Sequence, residues 1–318
     1  MSRANLSRYA KLDPAHVLDG LFVPTSKKGE ALYDVCGKVN GGEISFKGVQ
    51  LSSAHQSVLL AIAARTGRQG AKANGLIVAG TENDLLAQQL FLLEPTGKAK
   101  EQEFSQVECA AYALLRDAGM DTGSADYRRL RELLHEMATV VMYRGVKGAG
   151  GTSRLLSYQH HVDHFIVSLN WRMADAIFGG QNIQVSLHER LALSESPVAK
   201  ILHTWLSAYI RPGSHLMAGR GADIDSLVSH VWGKRPCSDA VNRQRRGRIR
   251  DALDSVGKLR GWAVRLDGPR VYVSRPRLME RASDPTPGEL LEMRVQVEQL
   301  WAAAWDCEPE CDAMPDSL

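Results

Sequence analysis

Between residues 196 and 258, apolar side chains recur every three or four positions in three successive runs. The first run is Val198, Ile201, Leu202, Trp205, Leu206 and Tyr209. The second is Ile224, Leu227, Val228, Val231 and Trp232, and the third is Ile249, Ala252, Leu253 and Val256. Each has the spacing of one helix face turned toward a core. The residues between them punctuate the pattern. Ser196-Pro197 is an N-cap followed by a proline in the first turn, and Arg211-Pro212-Gly213 stops that helix. Asp223 caps the second helix and Gly233 ends it. Ser238 or Asp239 can cap the third. From Trp262 to Leu266 the pattern switches to alternation, Asp267-Gly268 is a hairpin signal with Pro269 beside it, and Val271–Val273 returns. Three helices followed by a hairpin predict a winged helix-turn-helix.

A diverged copy of this order is readable earlier. Ser53 can cap a helix with Val58, Leu59 and Ile62 inward. Ser105-Gln-Val-Glu108 has capping-box spacing and predicts a helix start, with Val107, Ala111, Leu114, Leu115 and Ala118 inward and Gly119 as its end. Ser124 can cap a third helix carrying Tyr127, Leu130, Leu133, Leu134 and Met137 inward. Thr139–Tyr143 reads as a strand, Gly145–Gly151 as a flexible tip, and Ser153–Tyr158 as the returning strand. Phe165, Val167 and Leu169 alternate as a strand, Trp171–Phe178 reads as a helix, and Ile183, Val185 and Leu187 alternate again. The expected fold class is therefore α+β, with tandem winged-helix (winged helix-turn-helix) domains. An N-terminal arm covers residues 1–30. A first winged-helix domain covers 31–178 and includes a hairpin turning at Asn40-Gly41-Gly42. A second, DNA-binding winged-helix domain covers 179–280, and an acidic C-terminal tail covers 281–318 with one helical pattern around Leu290, Leu291, Met293, Val297, Leu300 and Trp301.

The chemistry concentrates at the start of the last of these helices. Asn242-Arg-Gln-Arg-Arg-Gly-Arg-Ile-Arg250 carries five arginines in nine positions. The apolar stripe begins only at Ile249, so the second half of the helix is rooted and the first half projects, the layout of a recognition helix in the DNA major groove. The bland alternative is a solvated helix with surface pairs such as Arg250 to Asp251 or Asp254, which contribute little; few acids stand near the helix start. Arg243, Arg246 and Arg250 share one face. Arginine reads guanine through O6 and N7, and Asn242 and Gln244 could pair with adenine. Arg243 and Arg246 are the candidates for bases, with Arg245, Arg248 and Arg250 for phosphates. In the first unit Arg128, Arg129 and Arg131 hold the equivalent place. Arg144, Lys147, Arg154, Arg265 and Arg270 are candidates on the two wings, where an arginine could follow the minor groove.

Charge and composition narrow the partner. From Ser283 onward nine acidic residues face one basic residue, so the net +3 divides into −8 there and +11 in the rest. A basic body points to a polyanion, and the tail could compete for the same face. No apolar run approaches the roughly 20 residues that span a bilayer, and Met1–Lys11 has no secretory pattern. A cytoplasmic protein with no membrane partner is expected. Cys36, Cys109, Cys237, Cys307 and Cys311 are scattered and read as reduced thiols. In a strand, the imidazoles of His160, His161 and His164 would not converge on a metal. That segment also lacks the His-hydrophobic-His pair and tyrosine of a nicking initiator. Neither Gly145–Gly151 nor Gly97-Lys98-Ala99 has phosphate-loop spacing. The expectation is a binding protein with no catalytic residue, metal or cofactor.

At this point the chain resembles the iteron-binding replication initiators of IncQ-type broad-host-range plasmids, the RepC-like proteins. The resemblance is carried by Asp13-Pro-Ala-His16 with Gly20-Leu-Phe22, by Leu155-Leu-Ser157, by Leu169-Asn170 leading to Gly179-Gly180, and by Tyr209 to Pro212. Val231-Trp232 followed by Arg243-Gln-Arg-Arg246 and Arg248-Ile-Arg250, and Gly261-Trp262 with Ser274-Arg275-Pro276, complete it. It spans about residues 10–277, through the order and spacing of these segments. More distantly the layout is similar to IncP-type initiators. The resemblance implies a non-enzymatic protein of a bacterial, plasmid-associated setting that binds directly repeated origin sequences in double-stranded DNA. It implies melting of an AT-rich neighbour, loading of a replicative helicase and primase, and self-association as a dimer off DNA. The apolar segment Val17, Leu18, Leu21 and Phe22 suits such a dimer. The acidic extension after about residue 280 and the segment Lys98–Glu108 depart from the pattern. The rival reading is a sequence-specific transcriptional regulator using the same two readers.

Overall fold

The computed structural model describes residues 9–25, 29–74, 76–78, 91–146 and 149–277. Along the chain run β1 (Tyr9–Leu12), β2 (Phe22–Val23), β3 (Val35–Val39), β4 (Gly42–Lys47), β5 (Leu51–Ser52), α1 (Ser53–Asn74) and β6 (Leu76–Val78). Then come β7 (Glu103–Ala110), α2 (Ala111–Ala118), α3 (Ser124–Ala138), β8 (Val141–Val146), β9 (Ala149–Arg154), β10 (Leu156–His161), β11 (His164–Leu169), α4 (Trp171–Phe178), β12 (Ile183–Ser186) and α5 (Leu187–Ala192). The last part holds α6 (Pro197–Tyr209), β13 (Ala222–Asp223), α7 (Ile224–Trp232), α8 (Asp239–Gly257), β14 (Ala263–Asp267) and β15 (Arg270–Ser274). The fold is thus mixed helix and strand. Lys147, the acidic tail with its helical pattern, Cys307 and Cys311 lie outside the described residues.

The first buried cluster is built around α1. Its residues 58–64 are all buried, so over that stretch it is apolar all round where a surface helix would show one stripe. It packs against β1, β7, α2, α3, α4 and α6. Two four-stranded sheets accompany it, ordered β3-β4-β8-β9 and β10-β11-β7-β6. The β3–β4 hairpin turns as expected at Asn40 (φ 52°) and Gly41 (φ 73°), the paired left-handed residues of a type I′ turn. It joins the hairpin β8–β9 through β8.

Three expectations fail here. Ser105–Glu108 is not a capping box; it lies within β7, where Val107 pairs with Val167 of β11 and the helix starts only at Ala111. The local Ser-x-x-Glu spacing was outweighed by alternation, with Ser105, Val107 and Cys109 buried and Glu108 exposed. Ser153–Tyr158 is not one strand. The chain leaves β9 at Arg154, crosses at Leu155 and enters β10, a different sheet. Ser53 and Ser124 are the first residues inside their helices and not caps; α3 is preceded by Gly123, which has no side chain to cap it.

The second cluster holds α6, α7, α8 and the three-stranded sheet β13-β15-β14. The predicted caps are present. Ser196 Oγ accepts from Ala199 N at 3.2 Å, and Asp223 accepts from Asp225 N at 2.8 Å. Tyr209 is a correction. It is 53% exposed and stacks on Trp205, with ring centroids 4.5 Å apart. The short strand β13, paired through Ala222 with Val271, had no periodic signal in two residues. The two clusters part between Leu187 and Leu193, several residues beyond Gly179-Gly180.

The N-terminal segment is internal to this body. Asp13 takes a bidentate bond from Arg172 at 2.6 Å on both oxygens, with both side chains buried. Gly20 lies so close to Gly233 that a Cβ would stand 2.7 Å from its Cα. Val17, Leu21 and Phe22 belong to the first core and Leu18 packs on it. The apolar segment read as a dimer surface is therefore already covered. Arg190 is also buried. It donates to Gln56 Oε1, Ser57 Oγ and Thr204 Oγ1, so it ties α1 to α6. Burial pushes its pKa down to about 9.

Candidate nucleic-acid interface

The helix α8 is seated by Ile249, Ala252, Leu253 and Val256, each at most 1% exposed. Its start is fixed by Ser238 Oγ, which accepts from Val241 N at 3.4 Å. At about 100° per residue, Arg243, Gln244 and Gly247 point away from that stripe and Arg248 and Arg250 flank it. Arg243, Gln244, Arg248 and Arg250 are exposed, and none has a hydrogen-bond or ion-pair partner among the described residues. Among the described residues no carboxylate pairs with these arginines, so their charge is available to an outside anion.

The other three candidates on α8 turn toward the protein. Arg246 is gripped by Asp225 of α7, with Nε on Oδ1 at 2.5 Å and Nη2 on Oδ2 at 2.6 Å. This bond holds the Asp225 carboxyl below the usual carboxylate range and raises the guanidinium. Arg245 donates to Cys237 Sγ at 3.3 Å and lies over the Trp232 ring, 5.4 Å from its centroid. The Asn242 side chain accepts from Cys237 Sγ at 3.0 Å. The helix start was expected to have few acids nearby, and Asp225 corrects that. It is 21 residues upstream of Arg246, and only the packing of α7 on α8 brings it there. Of the pairs possible on the bland reading, Arg250–Asp254 is not formed; Asp254 pairs with Lys258 at 2.6 Å.

The remaining candidates differ in how free they are. On α3, Arg128 and Arg131 are exposed, while Arg129 bonds Glu132 at 3.1 Å. On the second hairpin, Arg265 lies over Tyr272 at 4.6 Å and Arg270 donates to the Arg220 carbonyl at 3.1 Å. On the first, Arg154 is occupied internally by the Ala138 carbonyl and Glu94. Arg144 is half-buried over Trp171 and lines a cavity of about 240 Å³ with Lys98 and Gln102. No cluster of metal-ligating side chains occurs among the described residues, and none of their helices is long and apolar enough to cross a membrane.

Gly247 sits at the centre of the outer face of α8, with nothing within 4 Å of where a Cβ would stand. Glycine inside a helix destabilises it by about 0.5–1 kcal/mol relative to alanine. Gly247→Ala is expected to stabilise the fold by about that much, seen as a higher urea midpoint at unchanged slope. No gain would mean that this half of the helix is not formed in solution.

A family model described as Replication protein C (RepC) matches residues 4–276. No curated protein matches the chain. Among solved structures, a selenomethionine derivative of domain 2 and domain 3 of RctB is 8% identical, with a TM-score of 0.46 over 83% of this chain and 98% of that one. A second structure of RctB domains 2-3 is 9% identical, with a TM-score of 0.45 over 81% of this chain and 95% of that one.

Proposed function

The chain belongs to the replication protein C family, and from that premise we propose that it initiates plasmid replication by binding directly repeated duplex sites, iterons, at an origin of the IncQ type. The observation that carries this reading is the outer face of α8, where Arg243, Gln244, Arg248 and Arg250 are exposed and without partners among the described residues, on a helix anchored at its other end. Such a face suits the major groove, with side chains for base edges and cations for phosphates.

A second reader is part of the proposal. The buried stripe of α3, Leu130, Leu133, Leu134 and Met137, has the same spacing as that of α8. Arg129 and Arg131 then stand at the positions of Arg248 and Arg250, and a hairpin follows each helix. Both units are read as winged helices, which together could cover two major-groove faces about 34–36 Å apart. They differ in how their sheets are completed. In the second unit β13 adds to β15, and in the first β4 adds to β8.

The proposed action has no covalent step and no cofactor. Several bound copies would open a neighbouring AT-rich segment by binding energy, at about 1.4 kcal/mol per base step, and the opened strands would receive a replicative helicase and primase in a bacterial cytoplasm. Off DNA the protein would associate as a dimer through a surface other than Val17–Phe22. Permanganate footprinting on a supercoiled plasmid origin tests this. Reactive, unpaired thymines beside the protected repeats are expected. Protected repeats with no reactive thymines would favour a transcriptional regulator, and no protection would remove the DNA reading. Melting of a linear origin by one bound monomer would contradict shared work among copies.

A further inference from the structure

We propose that Asp225 is a positioning residue that fixes Arg246 as the reader of one guanine, an inference that rests on the DNA-binding reading above. A guanidinium carries five N–H donors in a planar fork. Asp225 occupies the side-on edge, taking Nε–H on Oδ1 and one Nη2–H on Oδ2. The end-on edge, one hydrogen of Nη1 and the second of Nη2, has no partner among the described residues. That pair is the fork that meets O6 and N7 of guanine in the major groove. The carboxylate therefore braces the arginine without competing for the base.

The brace is itself held. Asp225 stands in the first turn of α7, where the positive end of the helix dipole favours a carboxylate, and its amide donates to Asp223 Oδ1 at 2.8 Å. Ile224 and Leu227 seat α7, and Ile249 and Leu253 seat α8, in one core. The pair remains open to a duplex, with the Arg246 side chain 39% and the Asp225 side chain 55% exposed. A braced arginine loses less rotamer freedom on binding, an advantage of about three- to tenfold. The carboxylate also weakens attraction to phosphates of any sequence. Both effects favour discrimination, one by supporting the right partner and one by penalising the wrong ones.

The test uses the full chain, a duplex selected by it from a random-sequence pool, and unselected duplex. Asp225→Ala is expected to bind the selected duplex about three- to tenfold more weakly and unselected duplex equally or more tightly. Asp225→Asn, close to isosteric, should act in the same direction. The loss should vanish in an Arg246→Ala background, and both single variants should lose guanine preference at the same base pair. Asp225→Ala tightening selected and unselected duplexes alike would overturn the brace alone and leave Asp225 as a repelling charge. A loss that persists in the Arg246→Ala background would also overturn it. A wild-type chain that selects no duplex from the pool would overturn the DNA reading, and the brace with it.

Discussion

A chain carrying Arg243→Ala, Arg248→Ala and Arg250→Ala together is expected to fold normally and to lose affinity for its preferred duplex by a hundredfold or more. Folding should survive because the three side chains are exposed and bond nothing among the described residues. The loss follows from at least about 1 kcal/mol for each contact, and about 1.4 kcal/mol is tenfold in affinity. Salt separates the roles. Each lost phosphate contact reduces the slope of log affinity against log salt by about 0.9. Arg248→Ala and Arg250→Ala should each flatten the slope and weaken all duplexes similarly. Arg243→Ala should act mainly on the preferred sequence. Anisotropy titrations at several salt concentrations check this, and an unchanged affinity in the triple variant would remove α8 as the reader.

The parts of this fold legible in the sequence are those written locally. The caps at Ser196, Asp223 and Ser238 and the stripes of α6, α7 and α8 needed only near neighbours, and so did the turn at Asn40-Gly41. The capping-box pattern at Ser105 misled because the partner that makes β7 a strand is β11, about 60 residues on. The arginines of α8 were legible as a class. Their division into free and engaged side chains was not, because Asp225 and Trp232 belong to another helix. The segments that carry the family resemblance fall largely at joints. Asp13 bonds Arg172, and Gly20 meets Gly233. Asn170 caps α4 and reaches the Leu155 carbonyl, and Arg275 donates to the Ser207, Ile210 and Gln184 carbonyls. Order and spacing of such segments identify a family because they record which parts must meet.

Acidification from pH 7 to about 4.5 is expected to destabilise the described body strongly, before its carboxylates titrate. His55 is the clearest cause. Its Nδ1 accepts from Ser52 N at 2.8 Å, which leaves the ring proton on Nε2 to donate to Glu136 at 2.7 Å. A second proton has to displace the Ser52 bond inside the core. Burial lowers its pKa to about 4, against the pull of Glu136. Burial also lowers His16, His203 and His230, the last two against Glu189 and Asp19. As pH falls through about 6.5 the unfolded chain takes up these protons and the folded chain does not. The unfolded state then binds more protons, so stability is whole above pH 6.5 and falls below it. For His55 the window runs from about 6.5 to about 4, which corresponds to about 3 kcal/mol at 1.36 kcal/mol per unit. The other three act in the same direction. Against a total of about 5–15 kcal/mol for a domain, the sum is a large fraction. Glu189, Asp19 and Asp225, all lowered, add their losses only as pH falls through the carboxylate range. Urea unfolding at half-unit steps from pH 7.5 to 4.5 reads the slope directly. His55→Gln should flatten it within that window by removing one titrating ring, and a stability independent of pH between 7 and 5 would contradict neutral, buried imidazoles.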